Sequence, residues 1–76
     1  MFEKMKLKKA IKVSKERIAE IEQKRTRSQA ALVEAILRHA EPDDRDVDFF
    51  NQFTAQIDAE RDNLHQLMKK YDELTK

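Results

Sequence analysis

Mostly apolar side chains, with a few polar ones among them, recur along the chain at alternating spacings of three and four residues, in two separate blocks. In the first block these positions are Leu7, Ile11, Ser14, Ile18, Ile21, Arg25, Ser28, Leu32, Ala35 and His39. In the second block they are Asp46, Phe50, Phe53, Ile57, Glu60, Leu64, Leu67, Tyr71 and Leu74. This spacing is the heptad repeat of coiled-coil helices, and it places each set on one side of an α-helix. The pattern therefore predicts two long helices, each with one side to bury.

Residues 41–46 form the one segment that interrupts the helical pattern. Pro42 cannot continue a helix that began upstream, and it disfavours the α conformation of Glu41. The aspartates that follow suit the first turn of a new helix, because their carboxylates accept hydrogen bonds from free backbone N–H groups. The sequence therefore predicts helix 1 over about residues 3–40, a turn at 41–46, and helix 2 over about 44–75.

A short turn between two helices makes them antiparallel neighbours. We therefore predict a single all-α domain over residues 1–76, an antiparallel two-helix hairpin of the coiled-coil type. In the register that best matches apolar with apolar positions, the polar positions also meet: Arg25 with Glu60, His39 with Asp46, and Ser14 with Tyr71. We expect Arg25, Glu60, His39 and Asp46 to form polar layers that fix this register.

After Arg27, helix 1 carries more apolar residues than one contact with helix 2 can use. Leu32, Ala35 and Ile36 are predicted to face helix 2, which leaves a second apolar stripe on the opposite side. A lone hairpin of this size also has little core, and chains this short often need association for stability. We therefore predict a homodimer or a higher oligomer, favoured as a four-helix bundle, with this interface: Ala30, Val33, Leu37, Ala40 and Phe49.

The amino-acid composition excludes several classes of functional site. The chain has no Gly, no Cys and one Pro, which excludes glycine-lined phosphate loops, disulfides and thiolate chemistry. No apolar run approaches the 18 or so residues of a membrane span, and no signal-peptide pattern follows the Lys-rich start. We therefore expect a cytoplasmic protein that does not enter membranes.

Few side chains are candidates for metal binding or catalysis. Asp44, Asp46 and Asp48 have the spacing of the first ligands of a calcium loop, but Phe49 and Ala55 stand where that loop needs Gly and Glu. Helix capping explains these aspartates better. Asp62 and His65 lie one turn apart, on a side predicted to face solvent. We predict no catalytic residue, no metal, no cofactor and no small-molecule substrate.

Charge is divided unevenly along the chain. Residues 1–28 hold ten Lys or Arg against four acidic residues, whereas residues 29–76 hold six against eleven. Lysines on helix 1 could contact phosphates, and the candidates are Lys4, Lys8, Lys12 and Lys15. No aromatic side chain is interleaved with them to stack on bases.

The favoured function is a non-enzymatic protein-interaction module, such as a small adaptor, assembly factor or chaperone. The alternative is a nucleic-acid-binding hairpin dimer that uses the basic half of helix 1.

Overall fold

A computed structural model describes residues 2–75 of the chain. It contains two helices, α1 (Phe2–Leu37) and α2 (Asp44–Thr75), which pack against each other as a hairpin. The molecule is a rod of about 57 × 16 × 14 Å. The prediction of an all-helical hairpin is confirmed.

Helix α1 ends in a hydrogen-bonding pattern centred on His39. The His39 amide donates to the Ile36 carbonyl (3.0 Å), and the Ala40 amide donates to the Ala35 carbonyl (2.9 Å). His39 itself has a φ of 59°, in the left-handed region. This is a Schellman motif, which satisfies the last helical carbonyls and usually has Gly at the left-handed position. The helix therefore ends three residues before the predicted boundary, and Ala40 lies in the connecting segment.

Helix α2 starts at a side-chain cap supplied by Asp43. The Asp43 Oδ1 atom accepts a hydrogen bond from the Arg45 amide at 3.0 Å. The Asp43 carbonyl accepts from the amides of Asp46 (3.0 Å) and Val47 (3.2 Å). An aspartate in this position satisfies N–H groups that otherwise have no partner in the first helical turn. Pro42 precedes the cap, so α1 and α2 cannot merge into one continuous helix.

The positions of the two heptad stripes form the contact between the helices, which we call the seam. Ile57 is fully buried and Ser14 is 2% exposed, and these are the two buried side chains in residues 2–75. The other stripe residues from Leu7 to Ala35 and from Asp46 to Tyr71 are partly buried. Ile36 was predicted to face α2 but is 62% exposed. It follows Ala35 by one residue, which turns its side chain about 100° away from the seam.

The two helices pair in a different register from the predicted one. Glu60 lies beside Ser14 rather than Arg25, and Phe50 lies beside Arg25 rather than Ala35. Relative to the predicted register, the α1 partner of Glu60 is displaced by 11 residues and that of Phe50 by 10, whereas the contact between Glu22 and Arg61 departs from it by two. The largest displacement is a slide of about one and a half heptads along α1. Such a slide keeps apolar positions opposite apolar positions, so the stripes alone do not distinguish the two registers.

Candidate functional site

A small polar cluster interrupts the apolar seam. The Ser14 hydroxyl donates to the Glu60 Oε1 atom at 2.8 Å, and the Asn63 amide nitrogen donates to the same oxygen at 3.2 Å. These two hydrogen bonds, the one from Ser14 above all, lower the pKa of Glu60, and the charge of Arg17 acts in the same direction against the effect of partial burial. The carboxylate is therefore held in its charged form at the centre of the cluster, which gives it a structural role.

The residues predicted to form polar layers have other partners in the structure. The Arg25 guanidinium lies over the ring of Phe50, 5.9 Å from its centroid, and Glu60 binds Ser14 and Asn63. Because the Arg25 side chain is only partly buried, it keeps water on one side and does not need a carboxylate partner. His39 occupies the left-handed position that ends α1, and Asp46 lies in the first turn of α2. These contacts replace the predicted Arg25–Glu60 and His39–Asp46 pairs.

The surface of α1 has three shallow grooves that α1 alone lines. The basic groove is lined by Met5, Lys8, Lys9, Ile11, Lys12 and Lys15. The middle groove is lined by Ala19, Glu22, Gln23, Thr26 and Arg27. The apolar groove is lined by Thr26, Gln29, Ala30, Val33, Glu34 and Leu37. We call the side of α1 that carries these grooves its outer face.

The apolar groove contains three of the five residues predicted for an interface. Ala30 is exposed, Val33 is 46% exposed and Leu37 is 75% exposed. Next to Leu37, Ile36 adds a further exposed apolar side chain that the sequence analysis assigned to the seam. The polar border of this groove includes an ion pair between Glu34 and Arg38. The apolar surface is therefore a compact patch on the last three turns of α1.

The other two predicted interface residues lie elsewhere. Ala40 comes after the end of the helix, so the helical spacing that grouped it with Leu37 no longer applies. Phe49 belongs to α2 and stacks on Phe53, with ring centroids 6.3 Å apart. It is 43% exposed but does not line the apolar groove.

The predicted phosphate-contacting lysines are all exposed and lie at the open end of the hairpin. Lys8, Lys12 and Lys15 line the basic groove together with Met5, which is 69% exposed. Lys4 places its Nζ atom 5.8 Å from the centre of the Tyr71 ring on α2. The basic residues are thus presented on the same outer face as the apolar groove, about 30 Å away at ~1.5 Å per residue.

Residues 2–75 contain neither a membrane-spanning helix nor a cluster of metal ligands. Neither α1 nor α2 contains an apolar stretch long enough to cross a membrane. No three His, Asp or Glu side chains converge in a way that could hold a metal ion, within the same part of the chain. Comparison with protein-family models, curated proteins and solved structures gave no match.

Proposed function

We propose that this chain is a protein-interaction module that acts through self-association, with the apolar groove of α1 as its contact surface. The observation that carries the proposal is the exposure of Val33 and Leu37 beside Ala30, on a side of α1 that α2 does not cover. Single exposed apolar residues are common on protein surfaces, but several at helical spacing are typical of an interface.

The small core of the hairpin supports the same proposal. Ile57 is the one fully buried apolar side chain in residues 2–75. A chain below about 70–80 residues rarely gains more than about 3–5 kcal/mol from its own core. Burial of exposed apolar area stabilises by about 25 cal/mol per Å². Association through the apolar groove would therefore add a large fraction to the stability of each hairpin, and would bring four helices together.

Such an assembly suits a scaffold rather than a catalyst. Two joined hairpins form a rigid helical body whose remaining surface is rich in charged side chains, since 41% of the residues are Asp, Glu, Lys or Arg. A body of this kind can hold a further protein without any chemistry of its own. We therefore propose a role as a small adaptor, assembly factor or chaperone.

The experiment is a matched pair of substitutions at two alanine positions. Ala30→Lys puts a charge into the apolar groove, whereas Ala55→Lys makes the same change at an exposed position of α2. Light scattering at tens of micromolar should give a dimer or larger particle for the unchanged chain and for Ala55→Lys, and a shift toward monomer for Ala30→Lys. Circular dichroism checks that both variants remain helical.

A second substitution tests the edge of the same groove. Leu37→Glu should also shift the oligomer toward monomer, because Leu37 is the most exposed apolar residue of the groove. A ~9 kDa particle for the unchanged chain at these concentrations would rule out self-association. An oligomer that Ala30→Lys and Leu37→Glu leave intact would show that another surface forms the contact.

A further inference from the structure

We propose that a second copy of this chain lies antiparallel along the outer face of α1, so that the apolar groove of each copy meets the basic groove of the other. This inference rests on the proposed self-association and specifies its geometry. It explains three observations together: the three grooves along α1, the unequal distribution of charge, and the exposed apolar residues at both ends of α1.

The outer face of α1 carries a second heptad-like stripe, separate from the seam. Its positions follow one another at spacings of three or four residues, and all of them are exposed: Met5, Lys8, Lys12, Lys15, Ala19, Gln23, Thr26, Ala30, Val33 and Leu37. A stripe with this spacing is the geometry by which one helix packs along another. In its middle, Ala19 and Thr26 are small enough to let a second helix approach closely.

One antiparallel register matches the two ends of the stripe. When Ala19 of one copy lies beside Gln23 of the other, Met5 falls beside Leu37 and Lys8 falls beside Glu34. Met5 is 69% exposed and Leu37 is 75% exposed in the single hairpin, so each would cover the other. Lys12 falls beside Ala30, where its methylene chain can cover the apolar groove while its ammonium group stays in water.

The charge distribution favours the antiparallel arrangement over the parallel one. Residues 1–28 carry a net charge of +6 and residues 29–76 a net charge of −5. Antiparallel copies bring the acidic turn of each to the N-terminal end of α1 in the other and place Lys8 beside Glu34, and each of these contacts occurs twice around a two-fold axis. Parallel copies would place lysines beside lysines. The acidic neighbour also offsets the unfavourable position of these lysines at the positive end of the α1 dipole.

Charge reversal gives the first test. Lys8→Glu alone and Glu34→Lys alone each turn two attractive contacts per dimer into repulsive ones, and should weaken the dimer about fivefold or more. The double variant Lys8→Glu with Glu34→Lys restores opposite charges across the antiparallel contact and should recover most of the affinity. Sedimentation at several concentrations measures the dissociation constants. A double variant as weak as the weaker single one would overturn the arrangement.

Engineered cysteines give the second test, and the chain has no native Cys to interfere. Met5→Cys and Leu37→Cys chains, mixed in equal amounts in a glutathione buffer, should form a covalent dimer. Each chain carries a single cysteine, so the bond must join two copies. Each variant alone is the control and should stay largely reduced. A disulfide in Leu37→Cys alone, or none in the mixture, would overturn the arrangement.

Salt distinguishes failure of this geometry from failure of self-association itself. The antiparallel dimer should dissociate more readily as salt is raised from about 0.1 M to about 1 M, because its end contacts are screened. A dimer that salt strengthens, as expected for like charges side by side, would overturn the arrangement but keep the proposed function. A chain that is monomeric under all conditions would overturn both.

Discussion

The Ser14 hydroxyl and the Glu60 carboxylate meet across the seam at 2.8 Å, from positions 46 residues apart in the chain. Ser14 is almost completely buried, whereas Glu60 is partly exposed. The serine therefore finds its hydrogen-bond partner within the protein, and the carboxylate keeps access to water. A small buried hydroxyl beside a partly solvated charge avoids the desolvation of a fully buried ion pair. This contact specifies the register, because a slide by one heptad would leave the buried hydroxyl opposite an apolar side chain.

The first prediction concerns the strength of this contact. Ser14→Ala removes the donor to Glu60 and should lower the free energy of unfolding by about 1 kcal/mol, the usual net value of a hydrogen bond. Ser28→Ala is the control, since Ser28 is another serine of the α1 stripe and is half-buried. It should change stability little, or raise it slightly, because Ala has the higher helix propensity. Urea unfolding followed by circular dichroism measures both. Equal effects of the two substitutions would contradict the role given to Ser14.

The second prediction concerns acid pH. Hydrogen bonds from Ser14 and Asn63 lower the pKa of Glu60 in the folded chain below its usual value near 4.5. The unfolded chain then binds more protons at acid pH, so this contribution to stability is present above about pH 4.5 and is lost as the pH falls through the folded pKa. Glu60→Gln cannot titrate. At about pH 6 its free energy of unfolding should be lower than that of the unchanged chain, and this difference should shrink as the pH falls to about 3.

A suitable comparison for that experiment is Glu73→Gln, at an exposed position near the end of α2. Its free energy of unfolding should differ little from that of the unchanged chain, because the position is exposed. Thermal unfolding in a series of buffers gives the curves. A pH-independent deficit for Glu60→Gln would mean that the charged form of Glu60 has no special stabilisation.

The third prediction concerns the end of α1. His39 has a φ of 59°, a conformation that is unfavourable for residues with a Cβ atom and free of that penalty for Gly. His39→Gly should therefore raise the free energy of unfolding by about 1 kcal/mol. His39→Ala, which keeps the Cβ atom, should give no such gain. If the two variants are equally stable, the His39 side chain contributes to the turn in a way that the backbone conformation does not explain.

The fourth prediction concerns nucleic acid. The basic groove presents lysines without aromatic rings between them, and Lys4 already lies over Tyr71. We expect no detectable binding of duplex or single-stranded oligonucleotides at physiological salt by fluorescence anisotropy. Binding through four phosphates would show a log–log salt slope of about −3.6 and would disappear when Lys4, Lys8, Lys12 and Lys15 become Gln. A sub-micromolar dissociation constant would support the nucleic-acid alternative.

Much of the fold follows from the sequence, because the relevant signals are local. The spacing of residues such as Ile18 and Ile57 identifies the buried side of each helix, and Pro42 with Asp43 marks the turn. The register does not follow in the same way. Heptads repeat, so two registers one heptad apart bury nearly the same apolar residues, and the choice depends on a few polar contacts. The predicted register pairs the opposite charges of Arg25 and Glu60, whereas in the structure Arg25 lies over a ring and Glu60 accepts from a hydroxyl.

The candidate surface was predicted in part for a similar reason. Helical spacing identifies Ala30, Val33 and Leu37, which share one groove. The same spacing extended the group to Ala40, because the sequence contains no Gly to indicate where α1 ends, and His39 takes that role instead. Ile36 was assigned to the seam because it is apolar and follows Ala35. Its exposure follows from the turn of about 100° per residue that separates its side chain from that of Ala35.

The single connection between the helices, residues 38–43, determines the order in which the hairpin can form. Contacts near this connection close short loops, whereas the Ser14–Glu60 contact closes a loop of 46 residues, and the entropy of closure grows with loop length. We therefore expect the hairpin to form from the turn outward, and its open end, where Phe2 and Met5 lie, to unfold first. In an antiparallel pair the turn of each copy lies beside the open end of the other. In each chain, the segment that unfolds last would then cover the segment of the partner that unfolds first.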